Sequence, residues 1–166
     1  MSLARKLNFI KGWPNPHILE HSGAPASGVN VDEGLIAHRN SAGAWVLGIS
    51  DKTQLPFVLW NGAAGDGDHG VPFNKAASSQ QVRYGGVQGI ALSNPIEFQT
   101  TQYAGTPVFG DGLYADTDGV LKVCSGSASV ANKVIVAYVS KGVSPSPLSN
   151  ASMITVVPDN SRQVTS

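Results

Sequence analysis

The sequence predicts an all-β protein, a small β-barrel or β-sandwich with an extended N-terminal arm, and three observations carry that expectation. Apolar residues alternate with polar ones over short runs, as around Leu113, through Val120, Lys122 and Cys124, and in the apolar run Val134 to Val139. This period of two half-buries a strand. Gly-Asp and Asp-Gly steps, as in Gly110-Asp111-Gly112 and Asp118-Gly119, punctuate those runs and supply the positive φ that tight turns require. Glycine at 19 and proline at 10 residues break helices throughout, and charged residues make up only 13% of the chain. At 166 residues the chain is about one domain in size, enough to enclose a core.

Residues 1–28 read as an extended arm. Leu3, Leu7 and Ile10 fall at helical spacing, but Gly12, Pro14, Pro16 and Pro25 stop any element from growing. The arm still carries Leu3, Leu7, Ile10, Trp13, Ile18 and Leu19, more apolar surface than a disordered tail usually holds, so it is expected to dock on another surface. Residues 29–157 form the β domain. Strands are expected near 34–38, 43–50 and 55–60, the last starting at an edge or a bulge because Pro56 has no N–H to give to a ladder. A long polar loop over 61–80 follows, with Phe73 as its one large apolar residue. Further strands are expected over 82–92, 96–103 and the hairpin around 113–124, then 134–139. Ser-Pro-Ser-Pro at 144–147 reads as a stiff connector before a last strand through Ile154 to Val157, and residues 158–166 as a polar tail.

One pattern recurs. Residues 31–62 and 108–142 follow a common plan, with Glu33-Gly34-Leu35 answering Asp111-Gly112-Leu113, Ala37 answering Ala115, Gly43 answering Gly119, and Val58 to Gly62 answering Tyr138 to Gly142. A structural duplication is the expectation, with Leu35 and Leu113 at equivalent inward positions.

Few residue groups invite chemistry. His17, Glu20 and His21 spell H-x-x-E-H, a zinc pattern that needs a regular helix, yet prolines and glycines on both sides leave no room for one. Asp66, Asp68 and His69 in GDGDHG lack the bidentate glutamate of a calcium loop, and Asp116, Asp118 and Gly119 fit a hairpin turn. No phosphate-cradling loop or nucleophile–base pattern is present, so no catalytic residue, metal or cofactor is expected. The single cysteine, Cys124, allows no intramolecular disulfide and reads as a buried thiol. Eleven basic residues balance eleven acidic ones, a charge pattern without the footprint of nucleic-acid or membrane binding. A neutral, charge-poor surface promotes association. No apolar run approaches a membrane span and the N-terminus lacks a signal-peptide core, so synthesis in a cytoplasm is expected.

In order along the chain stand a Pro-rich start, G-A-W-V-L-G, L-P-F-V-L-W-N-G, an acid-rich loop, G-V-Q-G-I-A-L, I-E-F-Q-T-T-Q-Y, G-T-P-V-F-G-D-G-L, G-V-L-K-V and V-I-V-A-Y-V-S-K-G. This series resembles the capsid decoration, or cement, proteins of tailed bacteriophages, over most of residues 30–142. The resemblance implies a virion protein on the capsid exterior, made in the host cytoplasm. It further implies the major capsid protein as partner and self-association, a trimer ahead of a dimer, with no catalytic residues. Leu3, Leu7, Ile10, Trp13 and Phe73 are the expected capsid or subunit contacts, with Trp60 and Tyr103 divided between contact and core and Trp45 in the core. The alternative is a carbohydrate- or receptor-binding module of a head or tail fibre, with GDGDHG as a calcium clamp.

Overall fold

The computed structural model describes residues 6–11, 20–60, 87–92, 96–124, 132–145 and 151–159. Among them there is no helix, and eleven strands form two antiparallel sheets: β1 (Leu7–Lys11), β2 (Glu20–Gly23), β3 (Ile36–Arg39), β4 (Trp45–Leu47), β5 (Phe57–Trp60), β6 (Val87–Ala91), β7 (Glu97–Thr100), β8 (Gly112–Ala115), β9 (Leu121–Val123), β10 (Ala137–Pro145) and β11 (Ser152–Pro158). The first sheet runs β2-β6-β5-β3-β4 and the second β1-β7-β11-β10-β8-β9. Without β1 the two orders are one order, with β2 to β6 answering β7 to β11. The chain is thus built from two units of the same plan.

Hydrogen bonds fix which residue answers which. In each unit a hairpin, β3–β4 or β8–β9, is closed by a five-residue turn whose glycine has positive φ, Gly43 at 79° and Gly119 at 73°. Gly43 N–H donates to Asn40 O at 2.9 Å and Gly119 N–H to Asp116 O at 2.8 Å. The turn that enters the unit repeats too. Gly34 N–H donates to Leu59 O and Leu59 N–H to Leu35 O, as Gly110 N–H does to Val139 O and Val139 N–H to Asp111 O. After the first strand of each unit, residues 24–26 clasp Trp45 and residues 102–104 clasp Leu121 through matching backbone bonds and a parallel bridge. Each sheet therefore curls on itself without closing into a continuous barrel.

The expected duplication is present, in a corrected register. Gly43 does answer Gly119, and Val58 answers Tyr138, since each lies opposite the first residue of its hairpin, Ile36 or Gly112. Leu35, however, answers Asp111, and Ala37 answers Leu113. The Gly-Leu-x-Ala echo was two residues out of step, a shift that keeps the strand face and so looks right in a period-two pattern.

Alternation then decides the cores. The inward face of the first unit, Ala37, Trp45, Phe57, Leu59 and Val87, forms one buried cluster. The answering residues Leu113, Leu121, Ala137, Val139 and Ile154 lie in the other, larger cluster, together with Ile36, Val58 and Ile90 from the opposite face of the first sheet. The outer face of unit one therefore packs on unit two. Volumes compensate between the units. Trp45 is fully buried, its indole N–H donates to Val87 O at 2.7 Å, and its ring lies over Gly89, where a Cβ would come 2.4 Å from Trp45 Cη2. Their counterparts are Leu121 and Val156, a smaller residue facing a larger one.

Within the expected arm, the described residues 7–11 and 20–23 belong to the two sheets. β1 is the outer strand of the second sheet, paired with β7 from Leu7↔Thr100 to Lys11↔Glu97, and β2 pairs with β6. Breakers deny these residues a helix or a long strand, but a strand of four or five residues borrows its hydrogen bonds from a neighbour and tolerates breakers on both sides. Likewise Ser144 and Pro145 extend β10 rather than connect it to β11, because Pro145 sits at the strand end, where its missing N–H costs little.

The Asn40 side chain organises the first hairpin turn by accepting from Ala42 N–H and Ala44 N–H, both at 3.0 Å. Asn40→Ala is expected to lower stability by about 1 kcal/mol in a urea titration. An unchanged midpoint would show that Gly43 alone sets the turn.

Candidate interaction surface

Among the described residues four large apolar side chains stand out in water: Ile10, Val108, Phe109 and Val143. Phe109 is 80% exposed and Val108 57%. Neither is there because its backbone is loose. Asp111 Oδ2 accepts from Val108 N–H at 2.9 Å, Asp111 N–H returns to Val108 O at 3.1 Å, and Gly110 N–H is held by Val139 O at 2.9 Å. Gly110 supplies the φ of 90° that reverses the chain. The turn thus presents the Phe109 ring on a braced backbone. Beside it runs β10, where a Cβ on Gly142 would lie 3.1 Å from Pro107 O, and Val143 follows on that strand. Pre-ordered aromatic side chains lose little entropy when a partner covers them.

The answering turn in unit one, Asp32 to Leu35, is engaged instead. Glu33 Oε2 accepts from Lys6 N–H at 3.1 Å, Lys6 Nζ pairs with Asp32, and Gln102 Nε2 donates to Glu33 O at 3.2 Å. Close by, the two units meet at a cleft of about 360 Å³ lined by His38, Val46 to Ser50, Asp116, Thr117, Asn132 and Lys133. His38 Nδ1 lies 2.8 Å from Gly48 O and its Nε2 3.3 Å from Gln54 Nε2, so both ring nitrogens are engaged within unit one. Lys133 Nζ bonds Asp116 at 3.3 Å and lies 5.4 Å from the Tyr114 ring centroid, so the charges at this seam answer each other. At the hairpin tip, burial alone would raise the Asp118 carboxyl, but bonds from Lys122 and Val120 N–H outweigh it and hold it below its ordinary value.

The contacts expected from the sequence separate. Leu3, Trp13 and Phe73 lie outside the described residues, as do His17 and the Asp66, Asp68 and His69 loop. Leu7 is 1% exposed inside the larger core, so it is no contact residue: in β1 it faces the sheet interior, where the apolar content of an extended arm had suggested docking on another surface. Ile10, at 45%, does reach the surface from the edge strand. Trp45 and Trp60 are core, and Tyr103 is packed half-buried against it. Cys124 is half-buried rather than buried, and burial pushes its thiol up, against the opposing pull of Lys133. Among the described residues no three His, Cys, Asp or Glu side chains gather where they could hold a metal. Val108 and Phe109 were missed because periodicity speaks of strands, and a turn residue between Pro107 and Gly110 belongs to none; Val143 was missed because the strand expected over 134–139 runs on to Pro145. The signal was Asp111 three residues after Val108, a turn-bracing spacing that leaves the central side chains pointing outward.

No family model matches the sequence, and neither the curated proteins nor the solved structures yield a match.

Proposed function

We propose that the protein is a structural virion component that adds to the outside of a tailed-phage capsid and holds neighbouring major capsid protein subunits together. The resemblance over residues 30–142 suggests the setting, and one observation about the surface supports the role. Ile10 on edge strand β1 and the Val108, Phe109 and Val143 group beside β10 are separate exposed apolar places on a rigid, neutral frame. β1 and β10 lie three strand positions apart, about 15 Å at the usual strand spacing. A bridging protein needs more than one contact, because several weak attachments held at fixed spacing add up to durable binding.

Co-sedimentation of the full chain with expanded, undecorated capsids of the phage that encodes it tests the reading. Saturable binding is expected, together with a capsid that withstands a higher temperature before it bursts. A chain that stays in the supernatant even at large molar excess over capsid protein overturns it.

A further inference from the structure

The contact between the two units is one-sided. Unit one approaches with the turn 32–35, the start of β3, and Gly48–Ile49. Unit two receives it with the end of β7 and the turn 115–119. Ile36 N–H donates to Gly119 O at 2.8 Å and Ile49 N–H to Ala115 O at 3.0 Å, while Cβ atoms built on Gly34 and Gly48 would fall 2.7 Å from Thr100 Oγ1 and 2.1 Å from Asp116 O. If a two-fold axis related the units, each of these contacts would have a mate running from unit two back to unit one. Among the described residues none does. Gly110, which answers Gly34, has open space where its Cβ would be, and Gly43, which answers Gly119, meets only Arg39.

Each chain therefore carries a second, unused example of both halves. The approaching half recurs on unit two as Val108 to Gly112 and Cys124. The receiving half recurs on unit one as Gly23–Ala24, answering Thr100 and Gln102, and the turn 39–43. Exposure agrees with this assignment throughout. Gly34, Ile36, Gly48, Thr100 and Gly119 are buried, whereas Gly110 and Ala24 are exposed and Gly112, Cys124, Gly23 and Gly43 are half-exposed. The chemistry at the open ends also differs in a matched way. Where the acidic Asp32-Glu33 turn meets Lys6 and Gln102 inside the chain, the open approaching turn is apolar Val108-Phe109 and the open receiving strip is the small pair Gly23-Ala24. Arg39, exposed and 5.6 Å from the Trp45 ring centroid, stands beside that strip and complements Asp111 on the approaching turn.

We infer that the turn Val108–Asp111 of one copy seats on Gly23–Ala24 and the 39–43 turn of a second copy of this chain, so that copies join head to tail by the same contact that joins the two units within a copy. Such a contact is heterologous. It closes into a ring when the rotation permits and otherwise runs on.

Sedimentation velocity on the full chain tests this with two charge substitutions at exposed positions, Phe109→Glu and Ala24→Glu, whose folding is checked by circular dichroism. The wild type is expected to associate at micromolar concentration, and each variant to remain monomeric at ten times that concentration. Mixed one to one, the two variants are expected to form a dimer and stop there, because one intact junction can form between an unaltered Phe109 and an unaltered Ala24. Three results would overturn the inference: a wild type that stays monomeric, an Ala24→Glu chain that associates like the wild type, or a mixture that stays monomeric. Loss of self-association leaves the capsid test above independent, since capsid binding can be read on the Ala24→Glu variant, which keeps Ile10, Val108, Phe109 and Val143 unaltered.

Discussion

Removing residues 1–28 is expected to leave a chain that cannot fold. The deletion takes away β1 and β2, an outer strand from each sheet, along with residues 24–26 that clasp Trp45. Leu7 is 1% exposed, and the Phe9 ring meets Trp60 edge-on at 5.7 Å and Phe98 at 6.2 Å. Burying each of these side chains stabilises by about 1.5–3 kcal/mol. Two unpaired sheet edges add to the loss, and the sum approaches the whole stability of an ordinary domain, about 5–15 kcal/mol. Far-ultraviolet circular dichroism and a urea titration should show no cooperative transition, and Leu7→Ala alone should cost about 2–5 kcal/mol. A truncated chain that unfolds cooperatively within 1 kcal/mol of the full protein would show that β1 and β2 are dispensable.

The second large effect belongs to Gly48→Ala. Gly48 has a φ of 81°, which a side chain disfavours by about 1–2 kcal/mol, and its Cβ would enter the peptide of Asp116, 2.1 Å from the oxygen and 2.5 Å from the carbon. That peptide cannot step aside, because Asp116 O accepts from Gly119 N–H and the flanking Ala115 O accepts from Ile49 N–H. Strain and clash together should cost at least about 3 kcal/mol, read as a lower urea midpoint. The answering residue in unit two is Cys124, which does not share the positive φ and has no third unit against it, so a side chain is tolerated there. Cys124→Ala should therefore change stability by less than about 1 kcal/mol. Equal losses at both positions would sink the idea that the seam between the units makes position 48 intolerant of a side chain.

Much of this architecture was legible from turns and alternation. Trp45 in an alternating run, the glycines at 43 and 119, and the strand through Val58 all act through local backbone chemistry, which sequence carries directly. The error over residues 1–28 has the opposite cause. β1 owes its existence to β7, and no local pattern reports a partner some ninety positions away. The two-residue slip in the repeat is similar in kind, since alternation records which face a side chain takes and not which peptide it is bonded to. Phe109 was illegible for a third reason. A phenylalanine in sequence reads as core, and only the closed bonds around Val108 and Asp111 reveal that this one is held in solvent.

The pairing of β1 with β7 also sets an order of events during synthesis. Asn8 and Gln99, whose side chains bond at 3.1 Å, are 91 residues apart, so β1 must wait for β7 during synthesis. At about 5–20 residues per second the delay is on the order of 5–20 s, during which the β1 backbone lacks the ladder that β7 supplies and a strand edge lies open. The rate at which the nascent chain escapes aggregation is then governed by its earliest residues, and slowing translation between codons 20 and 97 should lower the soluble yield while leaving the stability of the finished protein unchanged.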